Sequence, residues 1–161
     1  MKTAQLAALC FTCLLGILPV AASAEPYIIS ADGSEVTDRK TRLIWRRCAE
    51  DMNWDGSTCA GVASTFTHKA ALERAATQAS STGLAWRLPN VKDLASIADR
   101  SRINPAIDPT AFPVTPASWF WSSSPYIGFP TVAWLVFFSN GNVYGGGRSN
   151  SFYVRLVRAR Q

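Results

Sequence analysis

The pair Cys48 and Cys59 limits this chain's folding most, because these are the two cysteines that remain once an apolar leader is removed. Residues 1–24 carry the three parts of a secretory signal. Lys2 is the positive start, Leu6 to Val20 is an apolar stretch broken by Thr12, Gly16 and Pro19, and Ala22-Ser23-Ala24 supplies the small residues before cleavage. A membrane span needs about 20 apolar residues, so this stretch reads as a leader rather than an anchor. Cys10 and Cys13 leave with it, and the mature chain is expected to begin at Glu25. Export takes the remainder to the periplasm, the cell surface or the medium, where thiols oxidise. There, two cysteines with ten residues between them around a polar, Gly-containing loop read as a disulfide. Closing so short a loop contributes about 2–3 kcal/mol in the chain-entropy model. A zinc site fails on ligand count, since one histidine and no further thiolate accompany the pair.

The 137 residues from Glu25 to Gln161 suit one domain with one core. Loss of Lys2 leaves 15 Lys and Arg, 12 of them Arg, against 11 Asp and Glu, a net charge of +4. This scattered surplus favours an acidic partner such as a sulfated glycan, as a weak field effect. Nucleic acid is disfavoured by the exported location. No later segment is long and apolar enough to span a membrane.

Short extended runs open the mature chain. Tyr27-Ile28-Ile29 precedes a turn, and Glu35-Val36-Thr37 meets Arg42 to Trp45 across a four-residue turn. Cys48 to Ser64 reads as a tied loop. A first helix is expected after a Thr65 or Thr67 cap, with Leu72, Ala75, Ala76 and Ala79 on its inner face and an end at Ser80 to Gly83. Asn90 is expected to cap a second helix, with Asp93 reaching back, and Val91, Leu94, Ile97 and Ala98 as its apolar stripe. Four prolines between Asn104 and Pro116 exclude helix and central strand, leaving a connector held by Ile103, Ile107 and Phe112. Strands are then expected over Ser118–Ser122 and Ala133–Phe138, with an Asn140-Gly141 hairpin turn into Asn142–Tyr144 and a last strand from Phe152 to Val157. Strands, two helices, then strands make an α+β domain.

Several of these stretches, in order, resemble the Lcl C-terminal domain family, formerly a domain of unknown function and named from a bacterial collagen-like adhesin. They are Val36 to Trp45 leading into Arg47-Cys48, Trp54 to Cys59, Trp86 to Leu94, Asn104 to Asp108, Phe112-Pro113, Trp121 to Ser124, Ala133-Trp134 and Tyr153 to Arg158. Together they cover nearly all of the mature chain. The resemblance implies a fold like that of C-type lectins and of the formylglycine-generating enzyme: two helices packed on mostly antiparallel strands, long irregular connectors and one disulfide. It also implies a surface or periplasmic setting. Ligand contacts in that wider fold often fall on loops of the C-terminal half, and adhesion to sulfated glycans is implied for the name-giving adhesin alone. Arg42 stands where the family usually has glycine, so a turn of different geometry is expected there.

The residues set bounds on chemistry. His68 is the single possible imidazole base, and beside Lys69 near a helix start it reads as a solvated surface residue. Ser122-Ser123-Ser124 lacks the glycine-flanked elbow of a hydrolase serine. Formylglycine-generating chemistry needs a reactive cysteine pair in the C-terminal part, and no cysteine follows Cys59. From residue 109 onward there is no Asp or Glu, which argues against a calcium site in the C-terminal loops. No cofactor is expected.

Trp45, Trp86, Trp121 and Trp134 read as core. Arg87 and Arg155 read as buried or half-buried partners of carboxylates or carbonyls, with Asp93 or Asp108 in view. Two loops differ in kind. Pro125 to Val132 places Tyr126, Ile127 and Phe129 among Gly and Pro, and Tyr144 to Tyr153 adds Tyr144, Arg148 and Asn150 on a glycine-rich turn. Such residues suit an adaptable binding surface, provided that the aromatics face outward rather than fold over the core. The leading expectation is an exported, non-enzymatic binding or adhesion module for a protein or glycan. An envelope enzyme acting on cell-wall or glycan material, and an accessory subunit of an envelope complex, are the other readings.

Overall fold

In the computed structural model, which describes residues 25–160, the short extended runs pair into sheets at both ends of the chain. Strands β1 (Tyr27–Ile29), β2 (Glu35–Asp38) and β3 (Ile44–Arg46) form an antiparallel meander, and the last strand of the chain, β11 (Val157–Arg158), pairs on its far side with β3. Asp38 organises the β2–β3 turn. Its carboxylate accepts from the Lys40 N–H at 2.8 Å and from the Thr41 hydroxyl at 2.6 Å. Arg42 takes φ 61°, the left-handed conformation that glycine favours. The expected change of turn geometry thus gives way to a glycine-type conformation borne by an arginine.

The segment expected as one loop from Cys48 to Ser64 contains the small hairpin β4 (Asn53–Trp54) with β5 (Cys59–Ala60), followed by β6 (Thr65–Phe66). Cys48 and Cys59 are bonded and buried. Helix α1 (His68–Thr82) starts at Thr67, whose hydroxyl accepts the Ala70 N–H at 3.3 Å, and ends at Gly83 with φ 67°. Its buried face is His68, Ala71 and Ala75, whereas Leu72 is 43% exposed and Ala76 faces solvent. The observed face is rotated from the expected one, because the small Ala71 and Ala75 allow a close approach to the sheet that leaves Leu72 at the margin. In α2 (Val91–Ser96) the capping box forms as expected: Asn90 Oδ1 accepts from the Asp93 N–H at 2.9 Å and Asp93 Oδ2 accepts from the Asn90 N–H at 3.0 Å. Leu94 and Ile97 are buried beneath it.

The C-terminal half supplies β7 (Trp119–Pro125), β8 (Val132–Phe137), β9 (Asn142–Gly147) and β10 (Phe152–Tyr153). These join β6 in a sheet of order β6-β10-β7-β8-β9, antiparallel except for β10 on β7. Residues 144–147, expected within a loop, are the end of β9, and the turn is confined to 148–151. The connector before β7 is pinned by Ile107 and Phe112, both fully buried; Ile103 is 77% exposed and holds nothing.

One face of this sheet packs Trp121, Ala133 and Leu135 against Ala71 and Ala75 of α1. The other packs Phe120, Val136 and Phe138 with Leu94, Ile97 and Phe112. The expected last strand, Phe152 to Val157, is split. After β10 the chain leaves the five-stranded sheet, and Val154 to Leu156 cross to the four-stranded one. The Val154 carbonyl accepts the Glu50 N–H at 2.9 Å and the Leu156 carbonyl accepts the Arg46 N–H at 3.1 Å. The observed α+β architecture, with two helices, mostly antiparallel sheets and one disulfide, agrees with the expected fold class.

Replacing Cys48 and Cys59 together with Ala is expected to lower the unfolding free energy by about 2–3 kcal/mol. Urea unfolding of the oxidised protein and the double variant measures this, and equal midpoints would contradict it.

Candidate functional site

Glycine 145 of β9 allows an aromatic side chain to lie flat on the sheet. A Cβ there would meet the Tyr126 ring at 2.9 Å, so Tyr126 occupies space that any other residue would close. Tyr126 also packs on Trp134 of β8 with ring centroids 4.3 Å apart, and Phe129 meets it edge-on at 5.6 Å. The turn between β7 and β8 is closed by backbone bonds, from the Phe129 N–H to the Tyr126 carbonyl at 3.2 Å and from the Val132 N–H to the Phe129 carbonyl at 2.9 Å. Tyr126 therefore folds back, as one of the two expected arrangements had it, while its neighbours do not. Ile127 is 89% exposed and Phe129 59% exposed. Two apolar side chains thus project from a turn braced by two aromatic rings.

The second expected loop joins this tip at the end of the β8–β9 ladder, where Val132 pairs with Gly147. The Arg148 N–H donates to the Thr131 carbonyl at 2.8 Å, and Arg148 Nε donates to the Val132 carbonyl at 3.2 Å. The exposed Asn150 closes its own turn, donating its N–H to the Gly147 carbonyl at 3.0 Å. Tyr126, Ile127, Phe129, Arg148 and Asn150 therefore belong to one end of the sheet. Tyr144 does not join them. Successive residues of a strand point to opposite faces, and Tyr144 lies against Trp119 at 4.9 Å and Phe137 at 6.5 Å, on the face opposite Gly145. It is 40% exposed at the margin of a Trp119–Phe137 stack 4.1 Å apart.

The expected structural residues take their places with two refinements. Trp45 and Trp121 are fully buried and Trp86 nearly so; Trp121 Nε1 donates to the Phe66 carbonyl at 2.7 Å. Trp134 is half-buried because its ring carries Tyr126 rather than lying wholly in the core. Arg87 pairs with Asp93 at 2.9 Å, but on the surface, while Arg155 is fully buried on carbonyl groups. Its partner is thus neither Asp93 nor Asp108.

His68 is the clearest correction. It is buried, at 3% exposure, rather than solvated. Nε2 lies 3.0 Å from the Ser122 carbonyl, so that nitrogen carries the proton it donates, and the ring meets Trp121 edge-on at 5.1 Å. Its start-of-helix position concealed this, because β7 passes directly beneath the first turn of α1. Burial pushes the imidazole below its usual pKa; the bond to Ser122 opposes that shift and the Arg148 guanidinium adds to it. Among the described residues, no three His, Cys, Asp or Glu side chains gather as metal ligands. No helix among them is long and apolar enough to cross a membrane. The leader and its expected cleavage lie outside the described residues.

The direction of the His68 shift fixes a pH effect. Unfolded chains take up the imidazole proton near pH 6.5, while the folded chain resists it. The resulting stability is present above that pH and is lost on acidification, at a limiting slope of about 1.4 kcal/mol per pH unit. Urea midpoints between pH 7.5 and 5 should fall less steeply for His68→Gln than for the parent; identical slopes would contradict the assignment.

The geometry accords with the comparison against family models. Residues 34–158 match the Lcl C-terminal domain, a span that runs from the start of the β2–β3 hairpin to the end of β11. Searches of curated proteins and of solved structures return no match. Since the family model takes in both helices, the disulfide and every strand but β1, the chain belongs to the Lcl C-terminal domain family.

Proposed function

We propose that this protein is an exported, non-enzymatic binding module that engages a protein or glycan partner through the β7–β8 tip. The observation that carries the reading is the exposure of Ile127 and Phe129, at 89% and 59%, on a turn held by Tyr126 and Trp134. Large apolar groups left in water on a rigid turn cost solvation in the free protein and lose little freedom on binding, which is the character of an interface anchor. Arg148 and Asn150 beside them supply polar contacts at the rim of such a patch. Without acidic side chains from residue 109 onward, this part of the molecule also suits an acidic or sulfated partner. The most economical enzymatic reading, with His68 as base, loses support because that ring is buried with Nε2 committed to a carbonyl.

The test is the double variant Ile127→Ser, Phe129→Ser, measured by surface capture against a glycan array and solubilised envelope proteins. Both side chains project into solvent, so the unfolding midpoint should stay close to the parent's. Affinity for the partner should fall at least tenfold, about 1.4 kcal/mol or more. Undiminished binding by the double variant would remove the tip as the site.

A further inference from the structure

Away from the tip, a concavity of about 510 Å³ lies between the C-terminal half of α1, the β2–β3 pair and the disulfide-tied segment. It shares no residue with the tip, and its volume falls within the range of small-molecule sites. Its polar groups are held in fixed orientations by protein partners. Arg46 donates to Gln78 Oε1 at 2.7 Å while its guanidinium lies 5.0 Å over the Trp86 ring. Arg74 reaches Glu50 at 2.8 Å and Asp51 at 2.6 Å, with Asp51 at φ 68°. Glu35 is held by Arg158 at 2.6 Å. Trp54 is fixed on one side by the Arg47 guanidinium at 4.0 Å and along its edge by Gly33, where a Cβ would come within 2.4 Å of Nε1. The uncovered part of this half-buried indole lines the cleft.

The lining selects among ligand classes. The three carboxylates, Glu35, Glu50 and Asp51, are each paired, Glu35 with Arg158 and the other two with Arg74, so an anion would find Arg46 alone, already bonded to Gln78 and ringed by carboxylates. A phosphate or sulfate would therefore gain little net attraction from a lining whose charges are balanced. A peptide finds little backbone edge to extend, because β2 and β3 are both interior strands and the one edge strand on the lining, β4, is two residues long. An apolar ligand would desolvate these ion pairs and leave their remaining donor and acceptor positions unbonded. Vicinal hydroxyls, which donate and accept together, match a carboxylate beside a guanidinium and an amide, and the C–H face of a sugar ring matches an indole. Among the described residues, the Gln78 amide nitrogen donates to no protein group and remains for such a hydroxyl.

We infer that this cleft binds a short uncharged saccharide, with Arg46, Gln78 and Asp51 bonding its hydroxyls and Trp54 receiving a ring face. The two sites are separate, so the tip and the cleft can fail independently.

The experiment titrates the protein, with its indole and side-chain amide signals resolved by NMR, against chitotriose, cellotriose, maltotriose and a sulfated heparin hexasaccharide. At least one uncharged trisaccharide should bind saturably with a Kd of about 1 mM or tighter, shifting the Trp54 indole and Gln78 amide signals. Gln78→Ala keeps a good helix former in α1 and should weaken binding about tenfold, while the loss of its bond to Arg46 lowers the unfolding midpoint only slightly. Trp54→Phe should weaken it too, and Ile127→Ser, Phe129→Ser should leave it intact. The inference is overturned if no uncharged trisaccharide shifts these signals at about 20 mM, or if only the sulfated hexasaccharide does. It is equally overturned if Gln78→Ala binds as well as the parent, or if the tip variant abolishes binding.

Discussion

The buried guanidinium of Arg155 is the contact on which the rest of the arrangement depends. The short Val154–Leu156 segment passes from one sheet to the other, and its central side chain turns inward at full burial. One nitrogen donates to the carbonyls of Arg46, at 2.9 Å, and Arg47, and the other donates to the Thr115 hydroxyl at 2.6 Å. The ring faces of Phe112 and Phe120 lie 5.0 and 5.9 Å away. A single planar group thus ties the end of β3, the proline-rich connector and β7. Burial pulls its pKa down to about 9, against an opposing attraction from Glu50, and leaves it charged at neutral pH. A methylene chain or a lysine would not span these partners, since the fork geometry of arginine serves several acceptors at once.

The clamp bears on both candidate sites. Arg46 and Arg47, whose carbonyls it holds, carry the side chains that position Gln78 and Trp54 in the cleft. On the other side, Phe120 belongs to β7, the strand that runs out to the tip at Pro125. The disulfide contributes at the same junction, because Cys48 follows Arg47 directly and Cys59 lies in the hairpin that presents Trp54. A chain with short strands gains rigidity from such local ties more than from long ladders. Ile127 and Phe129 thus project from a turn that is already ordered.

Much of this was legible in the chain. The Asn90–Asp93 capping box, the Asn140-Gly141 hairpin, the cysteine pair and the four buried or half-buried tryptophans all follow from local chemistry and survive in the fold. What eluded the sequence depends on contacts distant along the chain. His68 is buried by β7, some fifty residues later, and no local signal distinguishes it from a solvated helix start. The split of Phe152 to Val157 between two sheets is masked by unbroken alternation, since both halves are strands. The exposure of Ile127 and Phe129 follows from the Gly and Pro that flank them, whereas Tyr144, alike in composition, is sent by strand parity to the opposite face. The cleft is not legible in the sequence because its residues come from β2, β3, the disulfide segment and α1, none of which carries a binding motif alone.

The unfolding free energy of Arg155→Met, followed with amide hydrogen exchange, tests this clamp most directly. The substitution keeps the apolar volume and removes every donor, so the carbonyls of Arg46 and Arg47 lose buried partners at roughly 1–3 kcal/mol each. A total loss of about 3–5 kcal/mol is expected, with the amides of residues 46–52 losing protection before those of β7 and β8. A loss below about 1 kcal/mol, or protection that falls evenly over both sheets, would show that the junction is held by packing and not by this group.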